Sequence, residues 1–193
     1  MHRICTFCGS RPRALTLYSE AAADFGTALA KRGITLVYGG GSAGLMGSVA
    51  DAVLSAGGDV IGVIPDALTQ REQAHLRLSQ ILLVPSLHER KRAMFDLSDA
   101  FVALPGGIGT MEQFVEVLSW ATFGIHAKPI GLLNVNGYFD PMLRFLDRMV
   151  SDRFLGAAER SAILVETVAE RLLDRLGTAR PKVFEVVLTE AQI

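Results

Sequence analysis

The residue types that could do chemistry in this chain gather in three glycine-rich stretches and one basic run. The stretch Pro105-Gly106-Gly107-Ile108-Gly109-Thr110-Met111-Glu112-Gln113 follows the apolar run Ala100–Leu104 and opens an amphipathic segment. Three glycines let the backbone approach an oxyanion closely. A helix start adds free N–H groups and the positive end of a dipole, so this is a phosphate or sugar cradle. A second stretch, Gly39-Gly40-Gly41-Ser42-Ala43-Gly44, lies between the run Ile34–Tyr38 and an apolar-rich segment, and it fits G-x-G-x-x-G in the strand-to-helix setting that gives the pattern meaning. A dinucleotide site should also carry an acid at the end of the next strand. Here that strand ends Gly62-Val63-Ile64-Pro65-Asp66, so the acid follows a proline, and the loop comes after the second strand. Both points speak against an NAD-dependent oxidoreductase and leave a cradle or a tight packing turn. The third stretch, Cys8-Gly9-Ser10, ends the first strand and should line the same cleft.

The run Leu87-His88-Glu89-Arg90-Lys91-Arg92 opens the helix that leads toward the Pro105 loop. Such runs are commonly solvated, and Arg92 is read that way. Arg90 and Lys91 are candidates for a phosphate or an acidic side chain, which arginine can bind with two parallel hydrogen bonds. Cys5 and Cys8 form C-x-x-C, but their offset along a strand sends the side chains to opposite faces, so buried thiols are expected rather than a redox pair. His2, His75, His88 and His126 have no ligand spacing, so no metal is expected. Lys31, Lys91 and Lys128 lack the context of a pyridoxal Schiff base, which speaks against amino-acid decarboxylation. Trp120 and Phe123 are core or dimer contacts, or an apolar wall for a base.

The elements that must position these residues follow from apolar patterning. Strands are expected over Arg3–Phe7, Ile34–Tyr38, Val60–Ile64, Ile81–Val84, Ala100–Leu104 and Pro129–Leu133, with Ile163–Val165 a seventh. Helices are expected over Leu15–Lys31, Gly44–Ser55, Leu87–Leu97, Gly109–Phe123, Tyr138–Asp152 and Val168–Leu176. Several strands are apolar at nearly every position, as strands covered on both faces are. Their alternation with helices predicts an α/β fold, a doubly wound, Rossmann-like parallel sheet of six to seven strands with helices on both faces. Ligands then bind at the carboxyl ends of the strands, where the glycines lie. The 193 residues fit one domain over 1–180, with 181–193 as an unplaced C-terminal tail.

Nineteen basic against twenty acidic residues give a formal charge of -1, which excludes nucleic-acid or membrane binding through bulk charge. No stretch approaches the roughly 20 apolar residues of a spanning helix, and MHRICTF has no signal-peptide pattern. Two cysteines suit a reducing compartment, and a cytoplasmic location is expected.

In its motifs the sequence resembles the Lonely Guy (LOG) family of cytokinin-activating phosphoribohydrolases, long mislabelled as lysine decarboxylases. The resemblance runs from about Ile4 to Leu146 through FCGS (7–10), LVYGGGSAGLMG (36–47), VIGVIP (60–65), HERK (88–91), ALPGGIGTME (103–112) and GIHAKPIGLLNVNGYFDPML (124–143). It implies hydrolysis of the N-glycosidic bond of cytokinin riboside 5′-monophosphates, and in many members of AMP, giving free base and ribose 5-phosphate. It implies a homodimer or larger assembly with the site completed across the interface, and no cofactor. By position it implies that Arg90 is the catalytic or phosphate-binding arginine and Lys91 its neighbouring lysine. Gly106, Gly107, Gly109, Thr110 and Glu112 fall in the nucleotide-binding loop, with Gly9, Ser10, Gly40 and Gly41 in the companion loops. Ser119 stands where many members have a substrate-contacting threonine, and Glu72 lies in the loop of a substrate-binding glutamate.

One position departs from the pattern. The family motif P-G-G-x-G-T-x-x-E places its catalytic glutamate at Gln113. Glu112 and Glu116 flank it and share a helix face, while Gln113 points roughly 100° from Glu112. Breaking a ribosyl N-glycosidic bond builds positive charge on the sugar, which a carboxylate can stabilise while activating water. An amide is isosteric but is no base at pH 7. Either Glu112 or Glu116 serves instead, or the chain is a non-catalytic nucleotide-binding protein on the same fold.

Overall fold

The computed structural model describes residues 1–12, 14–69 and 74–180; Glu72 and the tail 181–193 lie outside them. Seven strands form one parallel sheet: β1 (Arg3–Phe7), β2 (Thr35–Tyr38), β3 (Val60–Pro65), β4 (Gln80–Val84), β5 (Ala100–Ala103), β6 (Ile130–Leu133) and β7 (Ile163–Glu166), in the order β4-β3-β2-β1-β5-β6-β7. Every residue of β3, β5 and β6 is buried, which is why these strands read as unbroken apolar runs rather than alternating ones.

Helices cover both faces. On one lie α1 (Thr16–Lys31), α2 (Gly44–Ser55) and α7 (Ala169–Thr178), packing Phe25, Val49 and Leu172 with Leu36 and Val102. On the other lie α3 (Leu87–Asp96), α4 (Ile108–Thr122) and α5 (Asp140–Ser151), packing Met94, Phe114 and Leu146 with Val37, Phe101 and Leu132. The chain winds outward from β1 to β4, returns through α3 to β5 on the other side of β1, and winds outward again. Strand order therefore reverses between β1 and β5, the place where open α/β sheets bind ligands.

The expected doubly wound fold is present; most element ends shift by one or two residues, and three differences bear on the reading. The C-terminal edge strand extends to Glu166. A six-residue helix, α6 (Ala157–Ala162), is too short to show a helical period in the sequence. Helix α5 starts at Asp140 and not at Tyr138, because Val135–Gly137 forms a 3₁₀ turn in which Asn136 has φ +50°. Asn134 fixes that start: its Oδ1 accepts from Phe139 N and its Nδ2 donates to Asp140 Oδ1, both at 2.7 Å. Cys5 packs on the α3 face and Cys8 on the α1 face; burial pushes both thiols up, Cys8 to about 12, so both stay neutral at physiological pH.

Asp99 ties the chain start to β5. Its Oδ2 accepts from His2 N at 2.5 Å and Arg3 N at 3.0 Å. Partial burial pushes its pKa up, but the two backbone donors outweigh this and hold it below the ordinary 3.8. A depressed folded-state pKa contributes stability above the unfolded value, lost as pH falls through the folded one. The urea midpoint of the wild type should exceed that of Asp99→Ala at neutral pH, and the gap should narrow as pH falls below 3.8.

Candidate functional site

Three strands that end side by side, β2, β1 and β5, release the three glycine loops at one edge, as the sequence suggests. The loops touch: Gly9 N donates to Pro105 O at 3.0 Å, and Met46 N at the start of α2 donates to Gly9 O at 3.3 Å. Gly106 must be glycine, since a Cβ there would lie 2.1 Å from Thr110 Oγ1 and 2.8 Å from Gly9 N. Above Gly107 and Gly109 there is open space. The amino termini of α2 and α4 both open directly from these loops, adding positive dipole ends to the crevice.

The loop carbonyls are capped by donors of the protein itself, Gly106 O by the part-exposed Tyr138 and the others by buried groups. Gly39 O accepts from Arg90 Nη2 at 2.8 Å, Gly40 O from His75 N at 2.9 Å, Gly41 O from Tyr38 OH at 3.1 Å and Gly106 O from Tyr138 OH at 2.5 Å. With these acceptors engaged, the negative ends of the peptide dipoles are withdrawn from the crevice, as an anion cradle requires. Tyr138 reaches Gly106 because it stands in the turn before α5; the sequence reading, which placed it inside a helix, missed it.

Arg90 is 8% exposed and lies beneath the β2 loop. A Cβ on Gly39 would come within 1.7 Å of Nη2, so glycine at 39 is what admits the guanidinium. Ser86 sets the start of this helix, its Oγ accepting from Glu89 N at 3.2 Å. Arg92 pairs with Asp96 one turn on and remains partly exposed, as expected of a solvated face.

Of the two partners the sequence suggests for Lys91, a phosphate or an acidic side chain, the structure shows the second. Its Nζ lies 2.5 Å from Glu112 Oε1 and 2.7 Å from Glu116 Oε1, clamping α3 to α4. Burial alone would lower the Lys91 pKa, but the two carboxylates raise it above the ordinary 10.5, so the ammonium stays charged. Gln113 turns from this clamp toward Met94, its Nε2 lying 3.9 Å from the sulfur. Thr110 is buried against Gly106, while Gly9 is half-buried and Ser10 exposed beside the crevice. Ser119 is not brought to the loops: eleven residues into α4, it lies roughly 16 Å along the axis from the helix start.

Among the described residues no three His, Cys, Asp or Glu side chains converge as a metal site would need, and no helix is long and apolar enough to cross a membrane. A cavity of about 260 Å³ opens at the opposite edge of the sheet, bordered by Lys128, Ile130, Ser161 and Arg180. It has no glycine loop, and the crevice at the switch point is the better site.

Fold and site together define a doubly wound α/β protein with a glycine-lined, anion-suited crevice at its switch point. The family model described as "Possible lysine decarboxylase" matches residues 46–176. Cytokinin riboside 5′-monophosphate phosphoribohydrolase LOG of Oryza sativa subsp. japonica is 47% identical over 186 residues, 96% of this chain and 76% of that protein. LOG3 of Arabidopsis thaliana, of the same description, is 46% identical over 179 residues, 93% of this chain and 83% of that protein. The chain belongs to the LOG family. In fold it is similar to the molybdenum cofactor binding protein of Rippkaea orientalis, with a TM-score of 0.69 at 18% identity over 92% of this chain and 97% of that one. The molybdenum cofactor carrier protein of Chlamydomonas reinhardtii gives 0.68 at 17% identity, covering 92% and 99%.

Proposed function

We propose that this protein hydrolyses the N-glycosidic bond of cytokinin riboside 5′-monophosphates, and of AMP, to free base and ribose 5-phosphate. The observation that carries the reading is the convergence of the three loops with their carbonyls capped by the protein's own donors, in a chain of the LOG family. The 5′-phosphate sits over Gly107–Gly109 and the amino terminus of α4, with the Arg90 guanidinium supplying fixed positive charge beneath the β2 loop. The ribose then lies toward the α3–α4 side, where charge developing on the sugar meets either Gln113 or the neighbouring face that carries Glu112 and Glu116. Incubating the protein with AMP and isopentenyladenosine monophosphate, and following free base and ribose 5-phosphate by chromatography, tests the reaction. Absence of both products would overturn it.

One observation favours a second reading, a nucleotide-binding protein without turnover. Lys91 engages both carboxylates beside Gln113, and Gln113 is an amide. Binding of AMP without release of base would select that reading.

The protein is further proposed to act in the cytoplasm as a homodimer or larger assembly. Helix α4 and the Phe123 that follows it keep Ile108, Val115 and Phe123 exposed at 85%, 51% and 42%, more apolar surface than one core-facing stripe leaves. Light scattering at micromolar concentration should give at least twice the mass of the chain; a monomer would contradict the assembly.

A further inference from the structure

We propose that His75 is a positioning residue that holds the β2 glycine loop in its carbonyl-in form; its consequence for substrate rests on the nucleotide reading above. His75 is 4% exposed and both of its ring nitrogens are engaged. Nδ1 accepts from Arg77 N at 3.3 Å, and Nε2 lies 3.2 Å from Asp51 Oδ1. A backbone N–H can only donate, so Nδ1 is the acceptor. The proton of the neutral ring is then on Nε2, directed at the carboxylate. Asp51 stands two turns into α2, the helix that grows out of the glycine loop, and it also pairs with Arg77.

The ring therefore ties residues 75–77 to α2 at the same point where the backbone ties them to the loop. His75 N donates to Gly40 O, and Ala74 pairs with Gly41 in an isolated antiparallel bridge. Gly40 sits at φ +78°, which glycine adopts about as readily as a negative φ, so the backbone angle alone does not hold this carbonyl and the hydrogen bond from His75 N does. The side chain spans two bodies, and its backbone fixes the carbonyl that would otherwise be free to turn toward a phosphate.

The test uses full-length protein and AMP. In His75→Leu the KM for AMP should rise at least tenfold with kcat within about threefold. A loop that grips the non-reacting phosphate affects ground and transition states alike. His75→Gln, which keeps one acceptor and one donor, should restore most of the affinity. Hydrogen exchange should quicken at least tenfold over residues 40–44 in His75→Leu while α7 is unchanged. If His75→Leu does not fold, Asp51→Ala removes the Nε2 partner from a half-exposed position and should raise KM at least threefold. An active wild type whose folded variants keep its KM overturns the positioning role, whatever the exchange shows. A wild type that neither binds nor hydrolyses AMP overturns the nucleotide reading instead. The exchange rates then decide whether His75 holds the loop, and unchanged rates overturn that role.

Discussion

Replacing Gln113 by glutamate is expected to raise the rate of base release from AMP by roughly 10²–10⁴, the usual worth of a positioned acid or base. The two carboxylates that could stand in for it, Glu112 and Glu116, are held by Lys91 Nζ at 2.5 and 2.7 Å. Each is thereby drawn toward α3 and its charge is partly neutralised. Gln113 faces away from that clamp, 3.9 Å from a thioether that offers neither charge nor a strong hydrogen bond. A carboxylate introduced there would lie outside the Lys91 clamp, and the amide it replaces has the same shape. AMP affinity should therefore change little, with a slight loss from repulsion between the new charge and the phosphate. Steady-state rates of wild type, Gln113→Glu, Glu112→Gln and Glu116→Gln check this. A wild type that is already fast, and loses turnover on replacement of Glu112 or Glu116, would move the base to that residue. A protein inactive before and after Gln113→Glu would leave only nucleotide binding.

Arg90→Ala should weaken AMP by roughly 10- to 150-fold and adenosine hardly at all. A charge-assisted hydrogen bond is worth about 1.5–3 kcal/mol, and about 1.4 kcal/mol is a factor of ten. Arg90 reaches Gly39 O from below the loop, so its loss removes positive charge from the crevice and a donor from one of the capped carbonyls. Both effects act on the phosphate and neither on the base. Calorimetry with AMP and adenosine on each protein separates them. Equal losses for the two ligands would put the phosphate elsewhere. Arg90→Lys keeps the charge without the planar fork and should recover part of the difference.

Much of this molecule is legible locally. Strands buried on both faces announce themselves as continuous apolar runs, and β1 and α2 were bounded to the residue. Loops that must bring backbone close to backbone or anion require glycine, which marks them in any sequence. The offset of Cys5 and Cys8, or of Glu112 and Gln113, follows from the period of the element that carries them.

What local pattern does not contain is the register of one element against another. Lys91 and Glu112 are 21 residues apart, and only the packing of α3 on α4 brings the Lys91 ammonium onto two carboxylates. Arg90 and Gly39 are 51 apart, so the reason for glycine at 39, the space occupied by a guanidinium, cannot be read from the loop itself. The apolar neighbours of Tyr138 fit a helical period and place it inside α5, whereas the Asn134 side chain delays the helix to Asp140. His75 had no ligand spacing and so carried no signal; its role arises where a loop after β3 meets a helix after β2. Periodicity along one segment determines which face is buried, and the sequence alone suffices for that. Which polar atoms then meet across the crevice depends on several elements at once, and only their packing decides it.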